Sequence, residues 1–138
     1  MTHKFESLEV WKLALEYVNM IYAVSEALPR SEEFNLKSQI TRAATSIALN
    51  IAEGSTSQND PEQARFLGLA TRPLIETVAC QHLIHQRSYL QDLTPLREAY
   101  RSSQTLYYKL QAFRKSLVGK SVVRENELPY EIDFTLPF

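Results

Sequence analysis

The chain has a single cysteine, only three glycines and no uninterrupted apolar run of the ~18 residues that a membrane span requires. One cysteine, Cys80, excludes an internal disulfide framework and a multi-cysteine zinc site, and inside a helical pattern it reads as a small core residue. Three glycines in 138 residues is far below the ~7% of average usage, and most of the prolines stand where helices would begin or end. Both features point to an all-helical chain. The first residues, Met1-Thr-His-Lys-Phe-Glu-Ser, lack the apolar segment of a signal peptide, so a cytoplasmic protein without a membrane partner is expected. Also missing are a phosphate-cradling glycine loop, a nucleophile elbow, a kinase signature and a Glu-x-x-His ligand pair. No cofactor is therefore expected. His82 and His85, with Glu76 upstream, share a helix face and come nearest to a metal site, but no matching carboxylate pair accompanies them.

What is present is charge and helical period. The net charge of −1 hides an uneven distribution. Residues 1–36 carry three basic and six acidic side chains, whereas residues 95–124 carry seven basic ones (Arg97, Arg101, Lys109, Arg114, Lys115, Lys120 and Arg124) against Glu98 alone. From Glu125 onward there are four acids and no base. A cationic stretch of this kind can bind phosphates or can be a solvated face that meets acidic neighbours.

Four helices follow from periodicity and stop signals. In the first, Leu8, Trp11, Leu15, Val18 and Tyr22 make one apolar series, and Ala14, Tyr17, Ile21, Val24 and Leu28 make a second on a neighbouring face. One core does not easily hide both. Leu28-Pro29 closes this helix, because the residue before a proline is pushed away from helical geometry. The second runs from Asn35 or Leu36 to Glu53, with Gly54 expected as a left-handed stop. The third is expected from an Asp60 cap, with Pro61 in the first turn and Gln63 completing a capping-box-like contact, to about Leu90, with a kink at Pro73. The fourth opens at Thr94-Pro95, shows Leu96, Ala99, Ser103, Leu106, Leu110, Phe113 and Leu117 at heptad spacing, and ends before Gly119. Short loops between long amphipathic helices predict an all-α fold, an antiparallel up-and-down four-helix bundle over residues 1–118. The remainder, 119–138, is apolar and proline-punctuated without helical period, and is expected to be disordered or extended along the bundle or a neighbouring subunit.

The densest pattern lies on the second helix. At four-residue steps Ser38, Arg42, Ser46 and Asn50 share one face, with Gln39 and Glu53 beside them and Ile40, Ala43, Ile47 and Ile51 adjoining. A polar stripe is a site or a seam. No spacing supplies a nucleophile with a base in enforced contact, which disfavours an enzyme using Ser46, Asn50 and Glu53. Buried polar side chains can instead fix the register of an apolar interface, and Ala43, Ala44 and Ala48 permit close helix approach. The expectation is a helix or subunit interface built on Gln39, Arg42, Ser46, Asn50, Glu53 and Glu76; if Arg42 is buried against Glu53 or Glu76, its replacement by alanine should strand a buried acid and cost ~3–5 kcal/mol.

Several segments together resemble a known family. They are Phe5-Glu-Ser-Leu-Glu-Val-Trp11 with Ala14, Leu28-Pro29 followed by Glu33-Phe-Asn-Leu36, then Gln39, Arg42-Ala43, Ser46-Ile47 and Asn50-Ile-Ala-Glu-Gly54, and on the third helix Arg65-Phe-Leu67, Ala70, Leu74 and Glu76. Over roughly residues 5–118 the chain is similar to the four-helix-bundle proteins encoded in intervening sequences of bacterial large-subunit ribosomal RNA genes. Relatives of these include the accessory variability protein of diversity-generating retroelements. The resemblance implies a homopentamer, five bundles forming a barrel around a central channel. In the retroelement branch it implies a basic surface that binds nucleic acid and a reverse transcriptase, and in the intervening-sequence branch it implies no established activity. Two departures stand out: Arg72-Pro73 replaces the family's usual Gly-Ser, and a pI near 6.3 is low for a nucleic-acid binder.

The sequence thus leads to a non-enzymatic scaffold or interaction protein whose first partner is itself. The rival is an RNA- or DNA-binding accessory protein using Arg97, Arg101, Lys109, Arg114, Lys115 and Lys120.

Overall fold

A computed structural model describes residues 2–119 and 135–138. The four helices form where the apolar periodicity puts them: α1 (Glu9–Glu26), α2 (Leu36–Gly54), α3 (Asp60–Gln86) and α4 (Thr94–Val118), with no strand among the described residues. Each packs on its chain neighbours and α4 closes against α1. This is the antiparallel up-and-down bundle that the short connections require.

The core is one cluster drawn from all four helices. Val10, Ala14, Tyr17, Ile21 and Val24 come from α1, and Ile40, Ala44, Ile47 and Ile51 from α2. Leu67, Ala70, Leu74, Cys80 and Ile84 of α3 meet Leu96, Ala99, Leu106 and Leu110 of α4. Each fully buried Leu or Ile contributes roughly 1.5–3 kcal/mol relative to exposure. The two apolar series of α1 separate as the spacing implies. Ala14, Tyr17 and Ile21 are sealed in the core, while Leu15 and Tyr22 of the other series remain 41% and 45% exposed.

The helix ends depart from the sequence reading in instructive ways. Asn59, not Asp60, caps α3, its side-chain oxygen accepting from Glu62 N at 2.9 Å. The acceptor one residue earlier lets Asp60 and Glu62 both sit in the first turn, where negative charge is favoured. Thr94 lies inside α4 and Leu93 takes the cap position, while Asp92 Oδ1 accepts from Thr94 N at 3.0 Å. Gln86 ends α3 four residues before Leu90, and Ser88 then adopts φ 56°. Helix α3 continues through Pro73, since the buried Ala70 and Leu74 on either side anchor both turns around the missing N–H.

Gly54 is not a left-handed stop. It is the last residue of α2, and a Cβ there would stand 2.7 Å from Phe66 Cβ. Its glycine identity comes from the close approach of α2 to α3. Gly119, with φ 74°, is the glycine that ends a helix in positive φ.

At one end of the bundle the α1–α2 and α3–α4 connections are tied together. Glu32, in the short 3-10 turn Arg30–Glu32, accepts from Asn35 Nδ2 at 2.9 Å and from Tyr89 Oη at 2.5 Å. These donors, Tyr89 foremost, hold the Glu32 carboxyl below the usual carboxylate range.

Candidate functional site

The α2 stripe lies on the outside of the bundle. Gln39, Arg42 and Glu53 are exposed, and Ser46 and Asn50 are half-buried. Most of the polar groups bond back to their own helix. Asn50 Nδ2 donates to Ser46 O at 2.9 Å and to Ser46 Oγ at 3.2 Å, Gln39 Nε2 donates to Asn35 Oδ1 at 2.9 Å, and Arg42 Nε reaches Ser38 O at 3.4 Å. Burial of Arg42 against Glu53 or Glu76, the condition for a costly loss of its side chain, is not met within the bundle: Arg42 is exposed. The reason is geometric. Ile40, Ala44, Ile47 and Ile51 already fill the inward face, so the four-residue row beside them turns outward.

Two shallow grooves flank this row. One, of about 470 Å³, runs between α2 and α1 and is lined by Tyr22, Thr41, Arg42, Thr45, Ser46, Leu49, Asn50 and Glu53. The other, of about 250 Å³, lies toward α3 and is lined by Gln39, Arg42, Ala43, Ser46, Pro73 and Glu76. Pro73 thus contributes its ring to the groove wall. Tyr22 Oη and Thr45 Oγ1 approach to 3.2 Å across α1 and α2. Leu49, 59% exposed, and Tyr22 make the larger groove an amphipathic surface rather than a polar one. Neither groove contains an imidazole or a thiol.

The polar seam inside the bundle is elsewhere. Gln81 Nε2 donates to Tyr17 Oη at 2.8 Å, Tyr17 Oη and Thr77 Oγ1 are 2.7 Å apart, and Thr77 Oγ1 donates to Leu74 O at 2.6 Å. Thr77 has one hydroxyl proton and spends it on Leu74, so Tyr17 must donate to Thr77 while accepting from Gln81. The result is a directed chain of three hydrogen bonds, two of them between α1 and α3, with all three side chains fully buried. Burial pushes the Tyr17 hydroxyl well above its ordinary pKa, which keeps the donating proton in place. Gln81 Oε1 remains buried without a partner. The sequence pattern placed Tyr17 in an apolar series and overlooked Thr77; polar atoms at buried register positions were the available signal.

The basic residues of α4 do not form one patch. At 100° per residue, Arg97, Arg101 and Lys115 point outward with Tyr108, Lys109 lies about 120° round from Arg97, and Arg114 borders the core-facing side. Lys109 Nζ sits 3.3 Å from Glu9 of α1. The Arg114 guanidinium lies over Gly68, 3.5 Å from where a Cβ would stand. Arg97 Nε donates to Phe138 O at 2.9 Å. Lys120 lies outside the described residues, as does most of the 119–138 tail. Among the described residues no group of three or more His, Cys, Asp or Glu could hold a metal ion. His82 and His85 do share one face of α3, where they contact the Phe138 ring. No helix among the described residues is long and apolar enough to cross a membrane.

No curated protein sequence matches the chain. The family model of the 23S rRNA-intervening sequence protein does, over residues 6–112. That match takes in all of α1, α2 and α3 and α4 as far as Ala112, the elements that build the grooves and the buried seam. With more than three quarters of its length so matched, this four-helix bundle belongs to the 23S rRNA-intervening sequence protein family.

Proposed function

We propose that the chain is a non-enzymatic, cytoplasmic scaffold or interaction protein that assembles with copies of itself through the α1–α2 face, as a pentamer. One observation carries this reading. Leu15, Tyr22 and Leu49 are large apolar side chains exposed on adjoining helices, and a polar row that can supply directional contacts runs beside them. Interfaces combine an apolar centre with hydrogen-bonding groups at the rim, which is the composition of this surface. The α2 stripe then acts as a seam between subunits rather than between helices. Replacing Leu49 by Glu tests it, since a charge at an exposed position leaves the isolated bundle folded but is costly when desolvated in an interface. Light scattering coupled to size exclusion should show the variant lighter than the wild type while its circular dichroism is unchanged. Equal masses would reject the α1–α2 face as the contact.

A second reading has a narrower basis. Arg101 and Tyr108, both exposed and two turns apart on the outward face of α4, offer a cation and a stacking ring to a nucleic acid strand. Binding would weaken steeply with salt. Gel shifts with structured RNA and DNA at low salt would then show retarded species, reduced by Arg101→Ala. No shift at low salt would discard this reading.

A further inference from the structure

The turn between α1 and α2 holds one phenylalanine out in water. Phe34 is 95% exposed, whereas Glu32 and Leu36, two residues to either side, are 8% and 6% exposed. Hydrogen bonds staple the turn across Phe34. Asn35 N donates to Glu32 O at 3.0 Å, Asn35 Nδ2 to Glu32 Oε1 at 2.9 Å and Leu36 N to the same carboxylate oxygen at 3.4 Å. Tyr89 Oη secures Glu32 Oε2, and Gln39 Nε2 holds Asn35 Oδ1 from the first turn of α2. A turn fixed in this way has little freedom left to lose on binding, and aromatic rings seated in pockets are the anchors that dominate interfaces. Burying this ring would remove roughly 150–250 Å² from water.

The ring has no seat on its own chain. Thr45, which meets Tyr22, and Leu49 lie ~14–20 Å along α2 from Leu36 at 1.5 Å per residue. That is beyond the reach of a side chain fixed in the turn, and the exposure of Phe34 shows that it touches neither wall of the groove. The same groove on a second copy is open to it. At about 470 Å³ it has room for one ring between Tyr22 and Leu49. Charge sets the direction of entry. Residues 26–37 hold three acids against Arg30 and Lys37, and two of them, Glu26 and Glu33, share the Lys37 ammonium at 3.9 and 3.2 Å. In the groove Arg42 stands at one end and Glu53 at the other, ~16 Å apart along α2. The surplus acid of the turn is therefore drawn to the Arg42 end and repelled from the Glu53 end.

We propose that Phe34 is the anchor by which one copy of the chain docks into the Tyr22–Leu49 groove of the next, with Glu26 and Glu33 toward Arg42. The inference rests on the self-association reading and gives it a specific contact. Anchor and groove occupy different parts of the chain, so each copy gives its ring to one neighbour and receives a ring from another. Such head-to-tail contacts build rings where the rotation closes, and a pentamer is a ring of this kind.

Two full-length chains that each lack one half of the contact test it. Phe34→Ala keeps the groove without the anchor, and Leu49→Glu keeps the anchor but spoils the groove, since an unpaired carboxylate is costly to desolvate. Both positions are exposed, so circular dichroism should match the wild type. Light scattering should find each variant alone at the 15.9 kDa chain mass and their equimolar mixture at twice that mass, with nothing heavier. To map the contact, the Leu49→Glu chain carries Phe34→p-benzoylphenylalanine, a photoreactive aromatic ring. Irradiation should join it to a tagged Phe34→Ala chain within residues 22–49 of the latter. The yield should fall at least ~10-fold when the tagged chain also carries Leu49→Glu. Assembly of Phe34→Ala like the wild type, or links mapped outside residues 22–49, would overturn the docking and leave self-association standing. A mixture that neither gains mass nor cross-links would also overturn the docking, and a wild-type chain at single-chain mass would reject both readings.

Discussion

Two sets of polar side chains at helical spacing meet opposite fates in this bundle. Gln39, Arg42, Ser46 and Asn50 of α2 stand in a dense row, face outward and bond mostly within their own helix. Tyr17, Thr77 and Gln81 are dispersed among apolar neighbours, yet they form the cross-helix network. Density of polar residues along a helix marks where water, or a partner, is met. A buried seam is instead a few polar atoms inserted into an apolar series, each satisfied from another element. The stripe is therefore evidence about the outside of the bundle, and the hydrogen bonds between α1 and α3 are made by three residues with no motif.

Substitutions on the two sides should differ accordingly. Tyr17→Ala, which opens a cavity and breaks the network at its centre, should cost ~3–5 kcal/mol in denaturant unfolding. Tyr17→Phe keeps the ring but leaves the Gln81 amide and the Thr77 oxygen without their partner, and should cost ~1–3 kcal/mol. If Tyr17→Phe proved neutral, the directed chain would contribute nothing beyond packing. Between these extremes lies the tie at the loop end. Because Tyr89 and Asn35 hold the Glu32 carboxyl below its ordinary value of 4.5, the folded state binds that proton more weakly than the unfolded chain. The stabilisation is complete above that pH and is lost as pH falls through the folded-state value. Tyr89→Phe should flatten this acid limb in a melting-temperature series from neutral to pH ~3, and an unchanged limb would show that the hydrogen bond is idle. The smallest effect is expected outside. Arg42→Ala should alter protomer stability by less than ~0.5 kcal/mol, in contrast to the ~3–5 kcal/mol that a buried pairing with an acid would give. A large loss of stability with unchanged assembly would return Arg42 to the interior.

How far the sequence was legible follows from the same physics. Helix number, the bundle and the two-faced α1 were readable because apolar spacing is a summed property of many residues. The α3 cap was misplaced by one because Asn59 and Asp60 have similar capping chemistry, and only the backbone course chooses between them; at α4 that course puts Leu93 at the cap position, with Asp92 accepting from Thr94 N. Gly54 was misread because a glycine that admits a neighbouring helix looks, in one dimension, like a glycine that ends one. The cationic count on α4 was correct, but opposite sides of a helix and contacts with Glu9, Gly68 and Phe138 disperse it. The contact of Phe138 with His82 and His85 was half legible: the histidine pair on one face and the apolar tail were both visible, and only the fold brings them together.

The central claim is that the exposed row on α2 and the apolar residues beside it are where copies of this chain meet. Light scattering on the wild-type chain at micromolar concentration tests it most directly. The account predicts a single species of several times the 15.9 kDa chain mass, five times for the pentamer. A species of 15.9 kDa would contradict it.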